Sequence, residues 1–575
     1  MIIVANKVET LNDLKKFIEE KYGKYNNVPY ITLLQSWNEN IKCLDKEAPV
    51  LNYIDSQNKC NQSCEYKECP LVKQHVEIDY SPILAVTTER FSRISKENNI
   101  EKYKYFHNGT KKRKFIIIDE KPIILRNNSI SLNDIHRLKK ILLEYPPSRN
   151  KSSEYSKKKL DILNTLDSIE KLLVSYINDY NEYDNFFILP ENIDFITDWK
   201  KVFGNKYYKE TDNIEQMFQT GIVWNKYKNN FYLVQDTTFN TGDIKTFIFD
   251  GTASMTLEYR NNTFITIKMD DYKDFSNLTF HAINESISKS KIKENPEKLT
   301  AICNWINSYF HTDTYVISYQ EALGYKVNQE LTKRFKGNKN IILDNNKVPY
   351  FGNTKGKNLW NKCNNMVQIG WNMFDSGLYI AKYLSLNPDK KEKLINLKDK
   401  PDEIHSFLKI NKGKFDNTEI EIYKIFDMIV NFEQEVFRTS IREFSSTENV
   451  NIYIFLNDSQ EGEHLKDLTN VRFYGCKFKK DKSKIFEKYN EDKYLNSNGK
   501  EEIRKFIEWL DGKLDNKELK GKNYGILTQK IEKDLNIKIK WRYHIEKKSE
   551  FYKLLIARRV NIALNKKKIL EVYKY

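Results

Sequence analysis

Short runs of β-branched and other apolar residues, almost free of polar side chains, recur along this chain and set the tightest limit on its fold. Ile2-Ile3-Val4, Tyr30 to Leu34, Ile83 to Thr87 and Phe115 to Ile118 are the first four. A strand that is apolar on both sides must be covered on both faces, which is the condition of a parallel sheet flanked by helices. Between the runs the apolar period changes. Val8, Leu11, Leu14 and Phe17 follow the first run at helical spacing, so the first twenty residues read as strand then helix. The fold class expected is α/β.

From about Leu132 to Asn181 the pattern is helical throughout: Leu138, Ile141, Leu142, Leu160, Leu163, Leu166, Ile169, Leu172 and Leu173 recur at three and four, broken by Pro146-Pro147. This predicts a helical insertion within the sheet domain. Strand patterning resumes at Phe231 to Val234 and Lys245 to Phe249. A second sheet domain is expected from Thr263 to Met269 onward, with Tyr315 to Ser318, Met366 to Ile369 and Val450 to Leu456 as further buried strands. Helices are predicted at Glu501 to Leu510 and Leu527 to Leu535, with an amphipathic run from Ser549 to Leu564. Residues 501–575 hold 20 Lys and Arg against 11 Asp and Glu, a net of +9 within a chain total of +16. That stretch reads as a small basic helical domain of winged-helix type. The expected division is 1–40, 76–130 and 216–260 for the first sheet domain, 41–75 for a cysteine-rich module, 131–215 for the insertion, 261–480 for the second sheet domain and 481–575 for the basic domain.

Composition narrows the partners. The charge excess points to polyanions, and a 13% aromatic content argues against a disordered chain. No apolar run approaches the roughly 18 residues of a membrane helix, and Met1 to Lys7 is no secretory signal, so a reducing, cytoplasmic setting is expected. Richness in Lys, Asn, Ile and Tyr suits AT-rich coding, such as that of a phage or mobile element.

Four segments can carry chemistry. Lys114-Phe-Ile-Ile-Ile-Asp119-Glu120 is a buried strand ending in two carboxylates; Asp119 is placed to hold Mg²⁺ through water and Glu120 to polarise an attacking water, or both are ordinary exposed acids at a strand end. Phe247-Ile-Phe-Asp250-Gly251-Thr252-Ala253-Ser254 turns sharply on small residues, where a hydroxyl can sense the metal site. Gln434, Arg438 and Arg442 recur every four residues on an expected helix, so two guanidinium groups can point together at a polyphosphate; a solvated face partnered by Glu433 and Glu435 is the alternative. Cys43, Cys60, Cys64 and Cys69 place four thiols within 27 residues, enough to close a zinc or iron–sulfur site, or to be unrelated thiols in a loop.

In this order the segments resemble the superfamily 2 helicases, the DEAD/DEAH-like enzymes built on two RecA-like domains. Ile2-Ile3-Val4-Ala5-Asn6 resembles motif Ia, and Asp119-Glu120-Lys121-Pro122 the Walker B box. Gly251-Thr252-Ala253 resembles motif III, Val316-Ile317-Ser318-Tyr319 motif IV, Thr354-Lys355-Gly356-Lys357-Asn358 motif V, and Gln434, Arg438 and Arg442 motif VI, with Phe437 in place of its Gly. The resemblance implies ATP and Mg²⁺ between two sheet domains, catalytic roles for Asp119, Glu120, Gln434, Arg438 and Arg442, and coupling through Gly251, Thr252 and Ala253. It further implies contact of Ser318, Tyr319, Lys355, Gly356 and Asn358 with nucleic acid, single-stranded DNA above all. The cysteines, between motif Ia and Walker B, and the helical insertion after it match the positions of the iron–sulfur module and arch in XPD/DinG-like helicases.

One part of that pattern is missing. No Gly-x-x-x-x-Gly-Lys-Ser/Thr occurs, and Gly352 to Asn358 has the wrong spacing and Asn where the metal-binding hydroxyl belongs. A phosphate loop would precede Ile2, so the expectation is either a sequence that begins at an internal Met of a longer gene or a protein that has lost hydrolysis. The corresponding functions are an ATP-dependent helicase or translocase, and a non-hydrolysing nucleic-acid-binding scaffold in a replication or defence complex.

Overall fold

The computed structural model describes residues 1–25, 28–34, 68–96, 99–107, 109–144, 153–179, 185–189, 195, 197–199, 202, 208–225, 230–235, 239–260, 264–267, 273–397, 400–411, 413–443, 445–457, 459–481, 485–486, 494–496, 500–515, 524–539, 549–558, 560–564 and 569–574. The chain opens with β1 (Ile2–Ala5), α1 (Val8–Tyr22), β2 (Ile31–Leu33), α2 (Pro70–Tyr80), β3 (Ile83–Thr87), α3 (Thr88–Lys96) and β4 (Phe115–Asp119). An insertion follows, comprising β5 (Ser129–Ser131), α4 (Leu132–Glu144), α5 (Ser153–Asp179), β6 (Asn185–Phe187), α6 (Tyr208–Gln219), β7 (Ile222–Asn225) and β8 (Asn230–Leu233). The chain then returns as β9 (Lys245–Phe249), which pairs with β4. The first sheet has the order β9-β4-β1-β3-β2 and is parallel throughout.

Its two faces are covered unequally. On one, Ile2, Val4, Leu84, Val86, Ile116 and Ile118 form a core with Phe91 and Ile94 of α3. On the other, α1 lays Leu11 and Ile18 over Ala5, Ile31, Leu33, Ile83 and Ala85, but its cover stops at β1. The register Ile3↔Ile117↔Phe247 places Phe115, Ile117, Phe247 and Phe249 on this second face. Phe115, Phe247 and Phe249 are 42%, 49% and 65% exposed. Among the described residues the outer edge of β9 has no strand beside it. The sheet that the apolar runs predict is therefore present, yet uncovered over its last two strands on one side.

The insertion is not all-helical. β6-β7-β8-β5 form an antiparallel sheet that closes a core with α4, α5 and α6, including Leu138, Leu142, Leu166, Ile169, Trp224 and Phe231. β7 and β8, expected in the first sheet domain, belong to this insertion because alternation puts Ile222, Trp224, Phe231 and Leu233 on its helices. Val223, Tyr232 and Val234 face the opposite way.

The second sheet domain runs β10 (Leu278–Ile283), α7 (Pro296–Tyr309), β11 (Thr314–Ile317), α8 (Val327–Arg334), β12 (Asn365–Gln368), α9 (Ser376–Leu386), α10 (Pro388–Asn396), α11 (Pro401–Leu408), α12 (Thr418–Val436), β13 (Val450–Phe455), α13 (Gln460–Arg472) and β14 (Lys477–Asp481). Its sheet is again parallel, ordered β11-β12-β13-β10-β14, with apolar cores on both faces. The strand expected at Thr263 to Met269 is absent from its described part, 264–267, where Ile265 and Ile267 are 92% and 84% exposed. The sheet takes Leu278–Ile283 instead. α9, α10 and α11 bury Tyr379, Leu384, Leu394, Ile404 and Leu408 against Val223, Tyr232 and Val234 of the insertion. The carboxy-terminal region holds helices at Glu501–Asp515, Thr528–Leu535 and Glu550–Ala557 and a three-stranded antiparallel sheet, so the run read as one amphipathic stretch to Leu564 is a helix followed by a strand. No helix among the described residues is long and apolar enough to cross a membrane.

Arg113, just ahead of β4, is fully buried and donates to four backbone carbonyls at 2.5 to 2.8 Å: Ile78 and Ser81 at the end of α2, and Tyr103 and Tyr105 beyond α3. Burial pulls its guanidinium down to about 10, partly opposed by Asp79. Arg113→Met leaves those carbonyls buried and unpaired, an expected loss of about 3 to 5 kcal/mol from the first unfolding transition in urea. A loss below about 1 kcal/mol would show that the carbonyls find water instead.

Candidate functional site

Parallel pairing brings the ends of β1, β4 and β9 side by side, and crevices at the carboxyl ends of parallel strands are where α/β folds gather ligands. β1 delivers Asn6 and Lys7, β4 delivers Asp119 and Glu120, and β9 delivers Asp250 to Ser254. Asp119 and Glu120 are both exposed. Glu120 has φ 69°, a left-handed conformation that costs a non-glycine residue about 1 kcal/mol or more. Two contacts hold it there: its N–H donates to Phe249 O at 3.0 Å, and the Asn6 amide donates to its carboxylate. The adjacent turn is built on Asp250. Its Oδ1 accepts from the Thr252 N–H at 2.9 Å and hydroxyl at 2.7 Å, and its Oδ2 accepts from the Tyr259 hydroxyl at 3.0 Å. Gly251 is exposed, Ala253 half-buried and Thr252 buried, with its hydroxyl turned to Asp250.

The second sheet domain meets these strand ends with the loop 354–358 and with Arg472. Lys7 donates to Gly356 O at 3.1 Å, and Gly356 has φ 66°, a left-handed conformation that suits glycine, with the movable end of Lys7 packed over its Cα. Lys355 and Asn358 are exposed beside it. Helix α12 ends at Val436, so Gln434, Arg438 and Arg442 do not share one helical face as the four-residue spacing predicts. Arg438 sits in the following turn and Arg442 in a short 3₁₀ helix, Ser440–Arg442. Arg438 donates to buried Glu435 at 3.1 Å and to Lys357 O at 3.3 Å, and Arg442 to Asn358 Oδ1 at 2.6 Å. Glu435 also accepts from Thr354 and Tyr315, so it organises the loop as much as it holds Arg438.

Ser318 and Tyr319 lie elsewhere. Both are buried; Ser318 donates to Ile369 O at 3.0 Å and Tyr319 to Ile287 O at 3.3 Å, which turns the hydroxyls expected on nucleic acid into the second domain's interior. Cys43, Cys60 and Cys64 lie outside the described residues. Cys69 is buried at the start of α2, and no group of three or more metal-ligating side chains occurs among the described residues.

Two features of the site carry no motif and are visible only in three dimensions. Arg472, the last residue of α13, reaches from the second domain to the turn after β9. Lys121, next after the acid pair, donates to Glu258 at 2.7 Å, and Tyr423 of α12 reaches the same carboxylate at 3.5 Å. Beside them Asp427 accepts from Tyr379 at 3.1 Å, and Lys382 lies 4.6 Å over the Phe374 ring. Burial raises Asp427 and lowers Lys382. For Glu258, burial pushes the carboxyl up, but Lys121, supported by Lys382, outweighs it and the net direction is down. These four charges make a desolvated junction between the domains.

No family model and no curated protein matches this chain. Among solved structures it is similar to "Structure of S. tokodaii Xpd4", with 11% identity, a TM-score of 0.42 and coverage of 83% of this chain and 90% of that one. A second, "XPD_Helicase", gives 12% identity, a TM-score of 0.41 and coverage of 84% and 91%. Two five-stranded parallel sheets in series are consistent with two RecA-like domains.

Because the Glu258 carboxyl is lowered in the folded state, its pair with Lys121 adds stability above the ordinary glutamate range and loses it as pH falls through the lowered value. Lys121→Met should cost about 3 to 5 kcal/mol at neutral pH. It should also reverse the trend toward acid pH, the variant closing on the parent as buried Glu258, without Lys121, takes up a proton more readily. Urea melts of both proteins from pH 4 to 8 check this; parallel curves would contradict it.

Proposed function

We propose that this chain is the body of a nucleoside-triphosphate-dependent, helicase-type motor acting on nucleic acid, single-stranded DNA being the preferred substrate. The observation that carries the reading is the convergence of Asn6 and Lys7, Asp119 and Glu120, and the 250–254 turn at one sheet edge, met by the loop 354–358 and Arg472 from a second parallel-sheet domain. An exposed carboxylate at a strand end suits Mg²⁺, which binds through one or two carboxylates, water and phosphate oxygens. In this proposal Asp119 would hold the ion, which neutralises charge on the phosphates when bound. Glu120, fixed by Asn6, would orient the attacking water, and Lys355, Gly356 and Asn358 would meet the strand's backbone. Gly251, Thr252 and Ala253 would pass domain movement to the acid pair, and Arg438 and Arg442 would be released from Glu435 and Asn358 toward the nucleotide.

The bare face of the first sheet bears on the missing phosphate loop. A strand added outside β9 and crossing to β1 with the usual right hand would carry its helix over the face where α1 lies, the face that exposes Phe115, Phe247 and Phe249. The loop between such a strand and helix would open beside Asp119 and Asp250, where a helix N-terminus and backbone N–H groups bind phosphate. The reading therefore includes a strand–helix unit at this face as the source of the phosphate grip. It also includes a zinc or iron–sulfur site on Cys43, Cys60, Cys64 and Cys69, to be decided by metal analysis and the absorption spectrum of anaerobically purified protein.

For the 575-residue chain the expected outcome is weak or absent ATP hydrolysis, with any activity lost in Glu120→Gln. Turnover that survives this substitution would falsify the site. Binding of fluorescein-labelled oligo(dT), followed by anisotropy, should weaken steeply with KCl, by a slope of roughly 0.7 per phosphate contacted in log–log form. Binding indifferent to salt would remove the nucleic-acid reading. Tight DNA binding with no nucleotide response would favour the non-hydrolysing scaffold instead.

A further inference from the structure

Arg472 joins the two sheet domains through both edges of its guanidinium. Nε and Nη2 donate to the two oxygens of Glu433 on α12, at 2.8 and 2.6 Å. Nη2 also donates to Gly251 O at 3.0 Å and Nη1 to Ser254 Oγ at 3.0 Å, across the cleft in the turn after β9. The arginine side chain is 16% exposed and the glutamate 5%. Burial pushes the Glu433 carboxyl up, Arg472 opposes this, and the negative charge of Asp250 also reaches it, which places the pair beside the acidic end of β9. Arg438 and Arg442, by comparison, spend their described hydrogen bonds inside the second domain.

We infer that Arg472 is an interdomain positioning residue, which fixes the 251–254 turn against the second domain and is itself kept aimed by Glu433. The two halves of the contact differ in what breaks them. The Glu433 pair lies wholly in the second domain, between α12 and α13, and survives any rigid-body opening of the cleft. The bonds to Gly251 and Ser254 cross the cleft and would be lost if it opened. Arg472 is therefore a two-position element whose outer N–H groups lie on the turn in this structure and would turn to an anion at the ends of β4 and β9 if the cleft opened. A planar fork is required, because a lysine ammonium cannot bridge both carboxylate oxygens while donating in two further directions.

The clamp itself is testable without any ligand and stands apart from the motor reading, on which only its use toward a phosphate rests. Hydrogen–deuterium exchange by mass spectrometry on the full chain should show the amides of 251–256 exchanging about tenfold faster in Arg472→Ala than in the parent, with the amides of β1 and β3 unchanged. Arg472→Lys should recover a minor part of the protection. Ser254→Ala, which leaves the Glu433 pair whole, should raise the same amides' exchange about threefold. Exchange of 251–256 unchanged in both Arg472→Ala and Ser254→Ala, or restored fully by lysine, would overturn the assignment. If Arg472→Ala loosens β1 and β3 as well, the Ser254→Ala result alone decides. Absence of ATP turnover leaves these measurements untouched, so failure of the clamp and failure of the motor reading are told apart.

Discussion

Everything at the candidate site depends on the burial of Ile116 and Ile118 between β1 and β9. Those side chains have no exposure, and they sit on the same face as Ile2 and Val4 of the neighbouring strand. A one-residue slip would send them to the opposite face, so the apolar pattern locks the register. Once the register is locked, Val4 lies opposite Ile118 and Phe249 opposite Asp119. The polar residues that follow each strand then have no freedom to be far apart. Asn6, Glu120 and Asp250 converge because the hydrophobic segments behind them are aligned, and the strained backbone at Glu120 is tolerated because two hydrogen bonds from neighbouring strands hold it.

The junction between the two sheet domains has a different character from either core. Its polar contacts include Lys7 to Gly356, Arg472 to Gly251 and Ser254, and the Lys121, Glu258, Asp427 and Lys382 cluster, beside which Met255 of the turn after β9 is buried in the second domain's core. Desolvating charges costs several kcal/mol per ion, and their mutual attraction repays little more than that, so such contacts specify a geometry without binding it strongly. Between the insertion and α9, α10 and α11 the packing is apolar instead, with Tyr379, Leu384 and Leu408 fully or nearly buried. The molecule is thus joined by one mainly apolar seam at the insertion and by one rich in charged contacts beside the acid pair.

Sequence patterning was informative wherever a run of residues had only one way to be buried. The strands at 83–87, 115–119, 245–249, 314–317 and 450–455 were readable to within a residue or two because β-branched runs of that length have few alternatives. Thr263 to Met269 has the same look and takes no strand in its described part, since alternation of Ile265 and Ile267 with Thr and Lys fits a half-buried strand only if a neighbour exists to pair with it. The end of α12 was not legible either. Phe437-Arg438-Thr439-Ser440 contains no proline or glycine to stop a helix, and the stop comes from tertiary contacts, with Thr439 buried and the Ser440 N–H donating to Cys363 O. Arg472 carries no local pattern at all; its partners are 39 and more than 200 residues away.

The uncovered face of the first sheet weighs against treating the described residues as energetically self-sufficient. Fully burying a phenylalanine is worth about 1.5 to 3 kcal/mol, and Phe115, Phe247 and Phe249 are each roughly half exposed, so some 3 kcal/mol of hydrophobic stabilisation is unrealised there. Against a net stability of about 5 to 15 kcal/mol that is a substantial share. Single exposed apolar residues need no account, but three aromatic rings on adjacent strands, beside an edge that no described strand pairs, form a surface that natural sheets seldom leave in water. The same face runs toward Asp119 and Asp250. A helix laid across it antiparallel to β4 and β9 would set its positive end against those carboxylates and its negative end near Lys245, so charge and hydrophobicity favour the same kind of cover.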